Sequence, residues 1–318
     1  MIFRTEINPE SFSQKINIKD KIFFTGSCFA ENIGSFFYNH HFDVCINPFG
    51  ILYNPVSIAN SLNKIINNEE FTAEDLFHFN NKWLSFYHHG KFSDANKEQA
   101  LSKINTKIRQ AYKHLKETKF LFITFGTSWV YALKNNNQIV ANCHKIPQQE
   151  FNRYRLNVEE IVDIYTKLIS QIKKLSPEIN IVFTVSPVRH LKDGAHGNQL
   201  SKSVLLLAVE ELNSLSGVHY FPSYELALDD LRDYRFYAKD MTHLNEIAEQ
   251  YIWEKLSQSA FDNETLEVLP KINKIFKAVN HRTFNPDSTE YQNFKDKINS
   301  KIENLEKQYG LNLFRFYL

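Results

Sequence analysis

Residues 21–30 read Lys21-Ile22-Phe23-Phe24-Thr25-Gly26-Ser27-Cys28-Phe29-Ala30 (KIFFTGSCFA). A short apolar run closed by glycine reads as a buried strand. The residues behind it, with Phe29, Ile33, Phe36 and Phe37 at helical spacing, read as a helix from Ser27 to Asn39. Ser27, a nucleophile-type residue, therefore stands where a strand turns into a helix. At such a point unpaired backbone N–H groups and the helix dipole can stabilise an oxyanion. The plainer reading is that Ser27 only caps the helix, and from these residues alone it is the stronger one.

Working outward, the same alternation recurs. Asp43–Asn47, Lys119–Phe125, Asn180–Val185 and Val218–Phe221 read as further strands. Asn54–Ile66, Lys97–Lys116, Val158–Leu175, Ser201–Leu212 and Leu244–Leu256 read as helices. Trp129–Tyr131 and Ile139–Asn142 flank three asparagines and predict a hairpin. Residues 71–92 are aromatic-rich and take no clear assignment. Strands alternating with helices of crossover length predict a parallel sheet covered on both faces. Ligands of such sheets collect beyond the carboxyl ends of the strands, so chemistry is expected just after Gly26, Asn47, Phe125, Val185 and Phe221.

The chain has 318 residues, 43% of them hydrophobic, enough for one large α/β domain with an appendage. We expect the α/β domain over residues 1–260 and a C-terminal helical extension over 261–318. The extension contains a charged helix, Glu290–Gln308, with an apolar stripe at Tyr291, Phe294, Ile298, Ile302 and Leu305, and the apolar end Leu311–Leu318. It is expected to pack on the domain, with a homodimer contact as the alternative. Lys+Arg (37) balance Asp+Glu (36), which gives no basic excess for nucleic acid. Three cysteines make neither a disulfide framework nor a zinc set. The sequence has no apolar run long enough for a membrane span and no visible secretory signal. It is read as soluble and cytoplasmic, a secreted protein already freed of its leader being the alternative.

Four later segments carry polar chemistry. Asp240-Met241-Thr242-His243 spaces a carboxylate and an imidazole so that they meet within one turn. The Asp can then fix the tautomer and leave the other ring nitrogen as a general base, or the two can form a local capping pair. Gly126-Thr127-Ser128, with Asn142-Cys143-His144-Lys145 behind it, offers small residues and amide donors; a structural role is the better reading of His144. Ser186-Pro187-Val188-Arg189-His190 offers Arg189 to an anionic or sugar-like substrate, or to a partner such as Asp193. Asn47-Pro48-Phe49-Gly50 places a glycine N–H beyond the second strand.

Taken in this order, from Gly26–Ala30 through Asn47–Gly50, Gly126-Thr127, Asn142–Lys145 and Ser186–His190 to Asp240–His243, the segments resemble the GSCFA domain family of the SGNH (GDSL-like) hydrolase superfamily. The resemblance covers roughly Lys21 to Ala260. It implies a three-layer α/β/α sandwich around a flavodoxin-like, mostly parallel five-stranded sheet. It also implies a nucleophile at Ser27, a triad completed by Asp240 and His243, and an oxyanion N–H from Gly50. The family block that usually supplies a side-chain Asn reads Gly126-Thr127-Ser128 here. Asn142, Thr127 or a backbone donor must then stand in, and one lost oxyanion donor costs about 3 kcal/mol of transition-state stabilisation.

The expected function is ester hydrolysis through an acyl-enzyme, removing an O-acyl group, acetyl first among them, from a carbohydrate or small metabolite. An O-acyltransferase on the same residues, and a binding module without turnover, are the alternatives. No metal or nucleotide cofactor is implied, since there is no GxGxxG, no P-loop and no ligand spacing among the histidines. Cys28, the neighbouring thiol, is the rival nucleophile and is expected to point away as a small buried side chain.

Overall fold

The computed structural model describes residues 4–279 and 288–313. Its centre is a sheet of five strands: β1 (Lys21–Gly26), β2 (Asp43–Ile46), β5 (Thr118–Phe125), β9 (Asn180–Val185) and β10 (Val218–Tyr220). The order across the sheet is β10-β9-β5-β1-β2, and every pairing is parallel. Two small antiparallel additions sit outside it. One is the hairpin β3 (Phe77–Phe79) and β4 (Lys82–Leu84); the other is a three-stranded sheet of β6 (Trp129–Leu133), β7 (Ile139–Val140) and β8 (Phe151–Arg155).

Alternation along the central strands builds two cores. Phe23, Leu121, Ile123, Phe125, Ile181, Phe183 and Val185 face one side of the sheet. There they meet the apolar stripes of α2 (Pro55–Ile66), α3 (Lys97–Lys116), α4 (Val158–Leu175) and α5 (Gly194–Asn213). Ile22, Phe24, Phe120, Phe122 and Val182 face the other side. They meet α1 (Cys28–Asn39), α7 (Glu246–Ala260), α8 (Asn263–Val279) and α9 (Thr289–Tyr309). Successive strand side chains point to opposite faces, so a strand buried on both must be apolar throughout, as KIFF and KFLFITF are. On the second face Phe24 stacks on Phe122 with centroids 4.7 Å apart, and Phe37 of α1 meets Trp253 edge-on at 4.9 Å. The result is the expected three-layer α/β/α arrangement.

Strand order reverses beside β1. The chain leaves β1 through α1 on one face and leaves β5 toward α4 on the other. This divergence opens a crevice at the carboxyl ends of β1 and β5. A single turn, α6 (Ser223–Glu225), runs into a π-helical turn at Leu226–Asp230, leading toward the 240–243 segment.

Several elements differ from the sequence reading. β8 pairs with β6, so the expected hairpin is the core of a three-stranded sheet. Helix α5 begins at Gly194 rather than Ser201. Helix α8, with Pro270 inside it, falls within the expected helical extension, where the sequence reading placed a helix only at Glu290–Gln308. In α9, Ile298, Ile302 and Leu305 are buried, while Phe294 of the same stripe stays exposed. Leu313 is buried in the second core; residues 314–318 of the apolar end lie outside the described residues.

Candidate active site

The turn after β1 admits only glycine. Gly26 has φ +134°, and a Cβ there would lie 2.2 Å from the Thr124 carbonyl oxygen of β5. Its N–H donates to Asn47 Oδ1 at 2.9 Å, which ties the ends of β1 and β2 together. Ser27 follows at the N-cap position of α1, yet its side chain makes no capping hydrogen bond. Ser27 is 1% exposed and its Oγ has no hydrogen-bond partner. Leaving a buried hydroxyl unpaired costs about 1–3 kcal/mol, so the plain capping role does not account for this serine.

At the same edge, the Asp240–His243 segment forms a closed unit. Asp240 Oδ1 accepts from the N–H groups of Thr242 (2.9 Å) and His243 (3.0 Å), while Oδ2 meets His243 Nδ1 at 2.5 Å. The His243 and Thr242 N–H groups, joined by the His243 ring, hold the Asp240 carboxyl far below the usual carboxylate range. A carboxylate bound at Nδ1 assigns the ring proton to that nitrogen and leaves Nε2 for proton transfer. Arg189 braces this loop. Its N–H donates to the Thr242 carbonyl (3.3 Å) and its guanidinium to the Met241 carbonyl, 4.2 Å from the Tyr237 ring centroid. Asp193, the partner considered for Arg189, is instead held bidentately by Arg153 at 2.6 and 2.5 Å.

A chain of groups links this loop to the start of α1. His190 packs edge-on to Tyr53 at 5.4 Å, and its Nε2 is buried without a partner. Burial, with Lys202 and then His243 nearby, pushes the His190 imidazole down to about 4. Lys202 of α5 is 1% exposed and donates to the carbonyls of Gly126 (2.7 Å) and Ser186 (2.6 Å), clamping the ends of β5 and β9. Burial lowers its ammonium to about 7, against the pull of neighbouring Cys28. Cys28 is half-buried, more open than Ser27, which reverses the expected pointing of the pair. Burial also raises the Cys28 thiol, which opposes a reactive thiolate.

The expected oxyanion donors are mostly engaged elsewhere. The Gly50 N–H closes a turn onto the Asn47 carbonyl (2.7 Å). Gly50 stands there because its φ is +80° and a Cβ would come within 2.3 Å of His89 Cβ. The Ser27 N–H donates to Thr124 O (3.2 Å) and the Thr127 N–H to Tyr53 O (3.0 Å). The Thr127 hydroxyl pairs with Ser201 Oγ (3.0 Å). Asn142 Oδ1 accepts the His144 N–H (2.8 Å), which leaves the Asn142 amide NH2 as the group to offer. His144 Nε2 bonds the Ser85 carbonyl (2.8 Å) and the ring packs on Phe77, a structural histidine as the plainer reading held. Asn47 Nδ2 is a buried donor with no partner, beside Gly26.

Lys202 and Tyr53 were not singled out from the sequence, and Asn47 and His190 were named only within their segments, without a role of their own. Lys202 had a readable signal: it is a charge inside the apolar stripe Lys202, Leu205, Val209, Leu212 of α5, all buried. No membrane-crossing helix and no metal-holding cluster of His, Cys, Asp or Glu occurs among the described residues.

The GSCFA family model matches residues 21–256, and the C-terminal domain of GSCFA domain proteins matches residues 272–314. The chain belongs to the GSCFA family. No curated protein matches it. Among solved structures it is similar to the periplasmic domain of the lipopolysaccharide acetyltransferase of Salmonella ser. Paratyphi A. That match has 13% identity and a TM-score of 0.37, over 76% of this chain and 84% of that one.

Proposed function

We propose that this GSCFA-family protein is an acyl-transfer enzyme of the SGNH type, an ester hydrolase whose nucleophile is Ser27. The observation that carries the reading is a buried serine hydroxyl left unbonded at the end of β1, on the same sheet edge where the end of β9 holds the loop with the Asp240-bound imidazole. Ser27 Oγ turns toward His243 Nε2, gives up its proton to it and bonds the ester carbonyl carbon. The leaving alkoxide takes that proton from His243, and water repeats the sequence to free Ser27. Asp240 stabilises the transient imidazolium. The first-turn N–H groups of Cys28 and Phe29 and the Asn47 amide take the oxyanion role that Gly50 does not fill. The substrate is an O-acyl ester, acetyl first, of a carbohydrate or small metabolite. An acyltransferase differs only in the acceptor replacing water.

A binding module without turnover is favoured by one observation, the engagement of the Ser27, Gly50 and Thr127 N–H groups. Phosphonate labelling with mass spectrometry, together with a panel of acyl esters, separates these readings. We expect the label on Ser27, turnover abolished in Ser27→Ala, and turnover largely kept in Cys28→Ala. Asp240→Asn should lower kcat by about 10³–10⁴ through the wrong ring tautomer. Activity kept in Ser27→Ala and lost in Cys28→Ala moves the nucleophile by one residue. No turnover and no label leaves the binding module.

A further inference from the structure

A cleft with a partly polar wall adjoins the crevice. It lies between the β6–β7–β8 sheet and the 190–193 turn, encloses about 440 Å³ and shares Tyr53 and His190 with the surroundings of Cys28 and Lys202. Nothing in the acyl-transfer chemistry uses its far wall. That wall is built from Trp129, Tyr131, Asn142, Arg153 and Lys192.

The wall offers more donors than its own residues satisfy. Arg153 lies 4.0 Å from the Trp129 ring centroid, and its two terminal nitrogens are fixed on Asp193. Its Nε remains buried with no partner, as do Trp129 Nε1 and His190 Nε2. Trp129 and Arg153 can only donate from these atoms, so the empty positions call for ligand acceptors. Lys192 Nζ donates to the Tyr131 hydroxyl at 2.6 Å, a neutral partner. Histidines apart, the charged lining groups are Arg153, Lys192 and Asp193, two cations against one acid. Arg153 and Asp193 neutralise each other, which leaves the Lys192 charge for the ligand. Tyr53, Trp129 and Tyr131 add aromatic surface to the lining, with Arg153 and Lys192 already over one face each of Trp129 and Tyr131, and such surface suits the apolar side of a ring.

We propose that this cleft seats a sugar-sized, hydroxylated ring carrying one anionic group, with Lys192 meeting the anion and the indole, Arg153 Nε and Asn142 amide meeting hydroxyls. The assignment deepens the acyl-transfer reading: the ring is the alcohol portion of the ester, and the acyl group points past Tyr53 and His190 toward Ser27. The anion can be a sugar carboxylate or a sugar phosphate, which share this chemistry.

Calorimetric titration of the full chain carrying Ser27→Ala tests it, with a glucuronate-containing disaccharide, a hexose 6-phosphate and neutral cellobiose as probes. At least one anionic probe should bind about tenfold more tightly than cellobiose, and Lys192→Gln, at an exposed residue, should erase that preference. Added salt should weaken the preferred probe. Preference for the carboxylate or for the phosphate identifies the anion, and either supports the assignment. Equal affinity for cellobiose, affinity unchanged by Lys192→Gln, or no binding by any probe overturns it. The two readings fail separately. Ester turnover without preference for acidic sugars removes the subsite and keeps acyl transfer. Acidic-sugar binding without turnover removes acyl transfer and keeps the subsite.

Discussion

At the scale of single residues, Lys202 has the clearest consequence. Its folded-state pKa of about 7 lies below the value near 10.4 of an unfolded lysine. Between those values the unfolded chain binds more protons, so stability contributed by this residue rises with pH across the window, and the burial penalty is complete below about 7. Lys202→Met strands the Gly126 and Ser186 carbonyls and removes that dependence. In urea unfolding, wild type should therefore gain on the variant between about pH 6 and about pH 9.5. A constant gap would show that Lys202 titrates as an ordinary lysine. This residue also marks the limit of reading sites from sequence. Asp240 and His243 were legible because a spacing of three brings two short side chains together without help from the fold. Gly50 misled because a glycine after a strand says where its N–H is, not where it points, and here it closes a turn. Asn47 and Lys202 matter through burial, which is set by neighbours 16 to 76 positions away and brought close only by the fold.

At the scale of elements, the loop carrying Asp240 and His243 depends on an arginine from another strand end. Arg189 holds the Thr242 and Met241 carbonyls, and Met241 sits at φ +59°, a conformation a side chain adopts reluctantly. Arg189→Gln should let the loop drift while leaving Asp240 bonded to His243. We expect kcat to fall about a hundredfold with KM little changed, because a small misplacement of the base is felt in the transition state. The low-field Nδ1–H proton resonance of His243 should broaden in parallel. A raised KM at unchanged kcat would instead place Arg189 on the substrate. The strands were legible almost to the residue, since KIFFTG, KFLFITF and NIVFTV carry continuous apolar character between polar ends. The short strands β3, β4 and β8 were not, because half-exposed aromatic and charged residues give neither period. Helix α8 lies in the expected helical extension but took no bounds from the sequence; it runs on through Pro270, a residue that costs a helix interior one backbone hydrogen bond.

At the scale of the whole molecule, the two C-terminal helices close the core that begins with β1. Phe261, Val268, Leu269, Ile272 and Ile275 are buried in one cluster with Phe24, Phe37 and Phe122. At about 1.5–3 kcal/mol each, five such side chains amount to about 8–15 kcal/mol, comparable to the whole stability of a domain. The N-terminal segment is stitched to the same helix. Ile16 bridges Phe261, the Ile18 N–H donates to Thr265 Oγ1 (2.8 Å), and the Asn17 amide reaches Asp262 (2.8 Å) and Glu264 (2.9 Å). A chain ending after Ala260 should therefore lose its near-ultraviolet circular dichroism and its cooperative urea transition. An unchanged urea midpoint would show the extension to be an independent appendage.

That stitching also has a consequence in time. β1 occupies an inner position of the sheet; α1 covers part of its second face at once, but the rest of that cover, from α7 to α9, arrives about 250 residues later. At about 5–20 residues per second, translation leaves KIFF without that cover for about 12–50 seconds. Closing contacts so distant in the chain is slow even for the finished polypeptide. The nascent protein therefore presents an aggregation-prone segment throughout most of its synthesis. Its yield in a cell should depend more on holding chaperones than on the stability of the folded product.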